Sequence, residues 1–541
     1  MMRRLLGVGL GLMSSFAQGQ ASTDTLGMYA QAQFRTVQGD CPQCTALPQT
    51  LWYFRHETYA VPTNGLPVSR FDTSKRGAED IEALNLEALP ELIWTGSSQY
   101  WPRAVLNDAA TEVKTAQDER FDIQLVPKIP SNRSYWNADT SHYFSQSTVS
   151  IRGESEGQTL VARTMWPHTF KLDLTASVQP LQSGESLQSL VQFANGGARS
   201  PYQSRLLWEK SPGVGQQSSG KTALGILLNG AQGDDDEAHG GHFALATGVV
   251  GEEGEYGTWL VNNYYNLATN SEKGIIAGVT PFDKYMADLN SGQAFYRPSY
   301  MLVAVFSQPD IPKQIQALNN RVMQHFYRND LLYDHALENC AGISIDTLRH
   351  LGWQVPERGV ESVLKASAAY WYVAATERSL QKGRAIYDYL NTEMTRLFPA
   401  VAFDAIGNDL LNIAYSGDHR TLASATMRAM PQQLEALYFV RIPQIPSSRA
   451  FGLAPVYSFA QYLQQAPADR SQWKIIPVTP NPLPEQLKDD LALKPQVPGL
   501  VPLTAILFLI SVVLAVALML WLFSKMYQIL TARVKYASHT R

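Results

Sequence analysis

Cysteine and charge are both scarce in this chain. Three of its 541 residues are cysteine, and the charged residues together make up 17%. The 44 basic residues are outnumbered by 48 acidic ones, so the net charge is −4, and no basic stripe runs along the sequence. The aromatic residues are scattered rather than set among lysines, and there is no internal repeat or low-complexity tract. Because a nucleic-acid-binding surface needs a basic footprint, we expect no nucleic-acid partner.

Both ends of the chain have features of an exported membrane protein. Residues 1–21 combine two arginines, an apolar run and small residues, which is typical of a secretory signal peptide, and no cysteine follows closely enough for a lipid anchor. Residues 500–524 are predicted to form a transmembrane helix, because the run from Val501 to Phe523 is uncharged and long enough to cross about 30 Å of hydrocarbon.

The charges beside this helix predict its orientation. Lysine and arginine follow it without an acidic residue, whereas Asp489 and Asp490 precede it. By the positive-inside rule, residues 525–541 form a cytoplasmic tail and the bulk of the chain is periplasmic. We therefore expect a single-pass protein of the bacterial inner membrane, with that membrane as its partner.

Between these ends, composition and periodicity predict an α+β protein. We expect a strand-rich N-terminal domain over 22–205 and a central domain over 206–355 that has an antiparallel sheet. A helical region over 356–475 and a proline-rich tether over 476–499 follow.

The cysteines divide into a close pair and a single residue. Cys41 and Cys44 form the motif CPQC, and in an oxidising compartment a local disulfide is the expected state. Cys340 is then left free. Asn339 before it is a favoured helix N-cap, apolar residues follow at helical spacing, and Gly352 suits the end of that helix. A helix N-terminus favours a thiolate, so Cys340 is a candidate nucleophile; the alternative is a small buried structural cysteine.

A nucleophilic thiol needs a base, and His242 is the candidate. It opens a probable strand in the sequence GGHFALATG, and a second strand follows after GEEG. If Gly251 pairs with Gly254 at the hairpin turn, His242 lies directly opposite Asn263, whose amide would orient the imidazole. A register slip of one residue would place Asn262 there instead.

This order of motifs resembles the circularly permuted papain-like superfamily, which includes lecithin–retinol acyltransferase relatives and cell-wall amidases. The resemblance rests on a strand histidine in GHFAL and on ENCAG at the start of a helix about a hundred residues later, and it covers residues 220–355 only. It implies a papain-like central domain in which Cys340 attacks an amide, ester or thioester carbonyl. The expected function is a periplasmic cysteine hydrolase or acyltransferase that acts on an envelope substrate, either a peptidoglycan peptide or a lipid or lipoprotein acyl group, without a cofactor.

Two other functions remain open. The protein is alternatively a non-catalytic envelope assembly or sensing module that retains the fold. The acidic loop Asp234–Glu237, with His239 and His242 nearby, would alternatively organise a metal site. The loop lacks the spacing of a calcium-binding EF-hand, and two histidines three residues apart on a strand face opposite ways, so we expect no metal.

Overall fold

The computed structural model describes most of the chain as a mixed α+β protein. It describes residues 25–39, 41, 43–64, 84–125, 136–193, 200–230, 240–268, 277–289, 291–295, 297–334, 338–446, 455–465, 480–488 and 501–539. The predicted signal peptide over 1–21 and the acidic loop Asp234–Glu237 lie outside these residues.

The strands are numbered in chain order. They are β1 Thr25–Leu26, β2 Tyr29–Ala30, β3 Phe34–Gln38, β4 Thr58–Pro62, β5 Ile93–Trp94, β6 Gln99–Leu106, β7 Glu112–Lys114, β8 Arg120–Leu125, β9 Val149–Glu156, β10 Thr159–Pro167, β11 Gln203–Glu209, β12 Thr222–Asn229, β13 His242–Val249, β14 Leu260–Asn263, β15 Gly278–Pro281, β16 Ser299–Phe306 and β17 Leu434–Ile442.

The helices follow the same convention. They are α1 Pro48–Phe54, α2 Ala138–Ser145, α3 Leu187–Gln192, α4 Phe282–Ala287, α5 Asp310–Tyr327, α6 Cys340–His350, α7 Val363–Thr376, α8 Leu380–Leu390, α9 Met394–Leu397, α10 Pro399–Ser416, α11 Met430–Gln433, α12 Phe459–Gln465 and α13 Leu503–His539.

A seven-stranded antiparallel sheet forms the centre of the molecule. Its strand order is β11-β17-β16-β12-β13-β14-β15. The inner strands β12 and β16 are buried along almost their whole length, because both faces of the sheet are covered. Alternate residues of each strand therefore enter two separate apolar layers, one shared with α5, α6 and α10 and the other shared with α4.

Strand β17 lies inside the segment 356–475, which we predicted to be helical. It pairs with β11 on one side and with β16 on the other, so the central sheet extends well beyond residue 355. Its sequence LEALYFVRI is an apolar run too short for periodicity to separate a buried strand from a buried helix segment. Only its pairing with distant strands gives it an extended conformation.

The N-terminal part is rich in strands, as expected, and contains two further sheets. Strands β3, β4 and β5 form a three-stranded sheet, and β6 to β10 close into a five-stranded barrel. Strands β9 and β10 of that barrel form a hairpin in which Glu156 pairs with Thr159. Cys41 and Cys44 form the predicted disulfide, with Cα atoms 5.3 Å apart, and Cys340 is free and buried.

Two buried ion pairs join the barrel to α4. Arg152 of β9 donates from Nε to both carboxylate oxygens of Asp283, at 2.9 and 3.0 Å. Arg163 of β10 donates to Asp288 at 3.2 Å, and Asp288 also pairs with Lys284, whose ammonium lies 3.8 Å from the centre of the Trp94 ring. Burial lowers the pKa of Lys284 to about 8. These ion pairs attach α4 to the barrel, and Tyr285 of α4 lies beside His242.

The long C-terminal helix α13 matches the predicted membrane span. The helix over Leu503–Thr531 is long and apolar enough to cross a membrane, and its most apolar 18-residue window has a mean hydropathy of 3.0. Residues 480–488, inside the predicted tether, contact the folded part of the chain. Gln49 of α1 donates to the Leu487 carbonyl at 2.9 Å, and Leu483 is buried.

Candidate catalytic site

The candidate nucleophile Cys340 is the first residue of α6, as the sequence predicts. The Asn339 side chain accepts hydrogen bonds from the N–H groups of Ala341 and Gly342 at 3.0 and 2.9 Å, and the next N–H, that of Ile343, bonds the Asn339 carbonyl. Gly352 follows the end of the helix with φ of 90°, a conformation that favours glycine. Local sequence alone therefore accounts for where this helix begins and ends.

The sulfur of Cys340 is buried at one end of β13. The residue is 3% exposed, and the backbone of Phe243 and the side chain of Tyr333 lie close enough to the thiol to act on its pKa. Helix α6 packs against β13, so Cys340 begins a helix that covers this strand. Cys340 therefore lies beside Phe243, the residue that directly follows His242 in the sequence.

Burial raises the pKa of the Cys340 thiol, contrary to our expectation that the helix N-terminus would lower it. Loss of solvent is the largest effect. The hydrogen bonds from Phe243, Tyr333 and Ala341 and the positive charge of Arg297 oppose it without reversing it. The free protein therefore holds a neutral thiol, and ionisation requires a base within the site.

His242 and Asn263 form the second part of the site. Nε2 of His242 lies 2.5 Å from Oδ1 of Asn263, and both side chains are buried. A carboxamide oxygen only accepts, so Nε2 of His242 is the donor in this hydrogen bond. The arrangement orients the ring and selects its tautomer, as the sequence predicts for Asn263.

The strand register that led to this prediction is nevertheless wrong by two residues. Leu245 pairs with Asn262, so the position directly opposite His242 is residue 265 and not Asn263. Side chains alternate with a period of two, so a shift of two keeps Asn263 on the face of His242 as its diagonal neighbour. Asn262 faces the other way and accepts a hydrogen bond from Gln316 of α5 at 3.2 Å, so it does not orient the imidazole.

Aromatic and polar side chains that the sequence analysis did not identify surround the imidazole. The ring of His242 lies 6.4 Å from that of Tyr265 and 6.3 Å from that of Tyr285, and Tyr285 donates from its hydroxyl to Asn229 at 2.5 Å. Asn229 is the cross-strand partner of His242 and also donates to Ser299 at 2.7 Å. The site wall is therefore a buried polar network, which restricts the orientation of the imidazole.

Arg297 brings a positive charge to the same end of the sheet. It is 1% exposed, and its guanidinium donates to the carbonyl of Gly230, at the end of β12, at 3.3 Å. Its charge acts on both Cys340 and Tyr285, favouring the anionic form of each. No local pattern marks Arg297 or Tyr285 in the sequence, because both reach the site through contacts with distant strands.

The metal hypothesis stays a hypothesis, because Asp234–Glu237 and His239 lie outside the described part of the chain. Among the described residues, one group has metal-ligand spacing, formed by His168, Glu253 and Glu255 at the barrel. Glu253 there already pairs with Arg103 at 3.1 Å and Lys171 at 2.7 Å, and these two cations disfavour a bound metal ion.

Comparisons with protein-family models, with curated proteins and with solved structures find no match to this chain.

The raised thiol pKa predicts how Cys340 will react with an alkylating agent. An ordinary cysteine has a pKa of about 8.5, so the folded protein should be alkylated by iodoacetamide more slowly at pH 8 than the denatured chain, by at least about tenfold. The rate should rise only at higher pH. Cys41 and Cys44 are blocked by their disulfide, so the unreduced denatured chain is its own control. A rate plateau below pH 7 would instead reveal a preformed thiolate–imidazolium pair.

Proposed function

We propose that this protein is a membrane-anchored cysteine hydrolase or acyltransferase with a papain-like central domain, acting in the periplasm on an amide, ester or thioester of the cell envelope. One observation supports it above the others. The imidazole of His242 is held by Asn263 through Nε2, and the ring of Tyr265 lies 6.4 Å from that imidazole and 5.8 Å from the ring of Tyr333, whose side chain acts on the Cys340 thiol. A thiol, a base and an orienting amide are the groups that covalent acyl transfer requires.

In the proposed first step, Cys340 forms a thioester with the acyl group. The thiol proton passes to Nδ1 of His242 as the sulfur attacks the carbonyl carbon, and the carbonyl π electrons move onto oxygen. When the tetrahedral intermediate collapses, the bond to the leaving amine, alcohol or thiol breaks and Nδ1 returns the proton to that group. Asn263 stabilises the transient imidazolium through its carbonyl oxygen.

The first turn of α6 supplies a group for the developing oxyanion. Asn339 engages the N–H groups of Ala341, Gly342 and Ile343 through its side chain and carbonyl, so the hydrogen bonds described for this turn leave the N–H of Cys340 available. That N–H belongs to the nucleophile itself and would donate to the oxygen of the intermediate, as in other acyl-transfer sites.

In the second step an acceptor attacks the thioester. Water gives hydrolysis, and a hydroxyl or amine gives transfer. In both cases Nδ1 of His242 removes the proton of the acceptor as it attacks the carbonyl carbon; the C–S bond then breaks and Nδ1 returns the proton to the sulfur, which restores the thiol of Cys340. Because the thiol is neutral in the free protein, the imidazole acts as a general base in both steps.

The test is capture of the thioester. The full chain, purified in detergent, is mixed with p-nitrophenyl acetate, quenched in acid and digested, and we expect mass spectrometry to find the acetyl group on the peptide that contains Cys340. Parallel incubations with peptidoglycan sacculi and with phospholipid vesicles identify which envelope material supplies an acyl group. Acetylation confined to lysine side chains would contradict the proposal.

Asn263→Ala should slow this acylation by about 10- to 100-fold, the range seen when a group that orients another functional side chain is removed. The imidazole would remain but would lose its fixed tautomer and orientation. The matched control is Asn262→Ala, the neighbouring amide that faces Gln316. Its acylation rate should stay within about twofold of the wild type, because it does not touch His242. Equal effects of the two substitutions would mean that both act only through stability.

The non-catalytic alternative is favoured by a different observation. Cys340 is 3% exposed and its pKa is raised, as for a structural thiol. A scaffold protein would form no thioester with either envelope material, and Cys340→Ala would then leave its cellular role intact. The capture experiment therefore separates the two functions directly.

A further inference from the structure

The helical hairpin formed by α7 and α8 packs against the beginning of the membrane helix α13. Trp371 of α7 donates from its indole N–H to the carbonyl of Ala505 at 2.8 Å, and Tyr387 of α8 hydrogen-bonds the Thr504 hydroxyl. Ala505 is fully buried in a small apolar cluster with Tyr370 and Tyr387. The hairpin is therefore attached to the first turn of the predicted membrane span.

The outer face of this hairpin is apolar. The exposed positions Leu364, Ala368, Tyr372 and Ala375 of α7 follow one another at spacings of four, four and three residues, so they form one stripe. Leu364 is 69% exposed and Tyr372 is 70% exposed. A helix that faces water normally carries polar residues along such a stripe.

Exposed apolar side chains are concentrated on this hairpin. Outside α13, seven large apolar side chains are exposed among the described residues, and four of them belong to the hairpin. These seven are Val105, Phe193, Val363, Leu364, Tyr372, Leu380 and Tyr415. The other three are isolated from one another along the sequence, as single exposed apolar residues commonly are.

The position of the stripe relative to α13 identifies the surface that would cover it. Helix α13 begins at Leu503, so Thr504 and Ala505 lie within about 5 Å of the start of the apolar span, the level of the membrane–water boundary. Tyrosine and tryptophan are enriched at this level, and the hairpin places Trp371 and Tyr372 there. The exposed apolar surface of the hairpin thus continues that of α13, where Leu503 is 69% exposed.

We propose that the α7–α8 hairpin is a second membrane-contacting element, which lies in the headgroup region of the bilayer that α13 crosses. The partner is the lipid bilayer itself, with Leu364 and Tyr372 inserted at the boundary between headgroups and acyl chains and Leu380 beside them. A helix of this kind binds by burying apolar area while its polar groups remain at the surface.

This contact would set the orientation of the candidate site. Helix α9 follows α8 after three residues, and its Leu397 carbonyl accepts a hydrogen bond from the Asn339 side chain at 3.0 Å. Arg396 of α9 pairs with Asp346 of α6 at 2.7 Å. The helix that begins at Cys340 is therefore connected through α9 to the membrane hairpin, which would hold it at a fixed height above the lipid. The membrane contact of the α7–α8 hairpin does not depend on the acyl transfer proposed for Cys340.

The test measures contact with lipid at single positions. In a Cys340→Ser background, Tyr372→Cys and, separately, Leu364→Cys are labelled with nitrobenzoxadiazole. The full chain is placed in nanodiscs of phosphatidylethanolamine and phosphatidylglycerol that contain lipids spin-labelled near the headgroup. The matched control is Tyr415→Cys, an aromatic position that is 55% exposed at the far end of the 18-residue helix α10. Cys41 and Cys44 do not react with the label because they form a disulfide.

We expect the lipid-borne quencher to reduce fluorescence at 372 and 364 at least about twofold more than at 415, with a blue-shifted emission at both. Weak quenching at 372 and 364, equal to that at 415, would overturn the proposal. A blue shift without lipid quenching would also overturn it, because it would mean that a protein surface, such as a second copy of the chain, covers the hairpin.

Discussion

Replacing Cys340 with serine is expected to reduce acyl transfer by about 10⁴-fold or more while the fold is retained. Serine has nearly the same volume, so it fits the buried position of Cys340 without disturbing its neighbours. An alcohol is far less acidic than a thiol, so a histidine positioned for a thiol does not activate it adequately. Loss of the nucleophile typically removes nearly all activity that depends on a covalent intermediate.

The measurement is the rate of p-nitrophenol release together with thioester capture in the same preparation. Thr347→Val is the matched control, because it removes one buried hydroxyl from the same helix, where it bonds the carbonyl of Ile343 at 2.8 Å. This control should keep its rate within about twofold of the wild type. If Cys340→Ser retained the wild-type rate, the thiol would be structural and the hydrolase hypothesis would be abandoned.

Arg152→Met should destabilise the protein by about 3–5 kcal/mol, the cost of leaving one member of a buried ion pair alone. Arg152 is 9% exposed and Asp283 is 1% exposed at the side chain, so the remaining carboxylate would have little access to water. Since Asp283 lies on α4, beside Tyr285 at the candidate site, activity should be lost at a lower denaturant concentration than in the wild type. Urea unfolding of the full chain in detergent, followed by tryptophan fluorescence, measures the change.

The barrel offers a matched exposed pair as a control. Arg120 and Glu112 pair at 3.3 Å with side chains that are 66% and 45% exposed, and Arg120→Met should cost less than about 1 kcal/mol. Adding Asp283→Asn to Arg152→Met should restore part of the lost stability, because the uncompensated charge is then gone. If Arg152→Met and Arg120→Met lowered the free energy of unfolding by similar amounts, the Arg152–Asp283 pair would be as well solvated as the exposed Arg120–Glu112 pair.

Patterns among neighbouring residues predicted part of the candidate site. The helix that starts at Cys340 was predictable because its N-cap Asn339, its apolar spacing and its terminal Gly352 are all adjacent in sequence. The partnership of His242 with Asn263 was predictable for a different reason. The predicted strand register was wrong by two residues. Side chains in a strand alternate between its two faces, so a shift of two residues leaves Asn263 on the same face as His242, and its amide still reaches the imidazole.

Other properties of the site were outside the reach of sequence patterns. The thiol pKa is raised rather than lowered because desolvation by the surrounding protein exceeds the effect of the helix N-terminus, and burial is a property of the whole fold. Arg297 and Tyr285 come to the site from segments that pair with distant strands. The position of β17 in the central sheet also depends on pairing with β11 and β16, which are far from it in sequence.

By itself, then, the sequence determined the features that depend on neighbouring residues: the apolar span of α13, the Cys41–Cys44 disulfide, the boundaries of the cysteine helix and the mixed α+β class. Only the tertiary structure decided which strands pair, which face each polar residue occupies and how strongly burial opposes ionisation. The physical reason is the sequence separation of the residues that interact. Caps, turns and hydropathy act within a few residues, whereas strand order, desolvation and the attachment of the α7–α8 hairpin to α13 depend on segments tens to hundreds of residues apart.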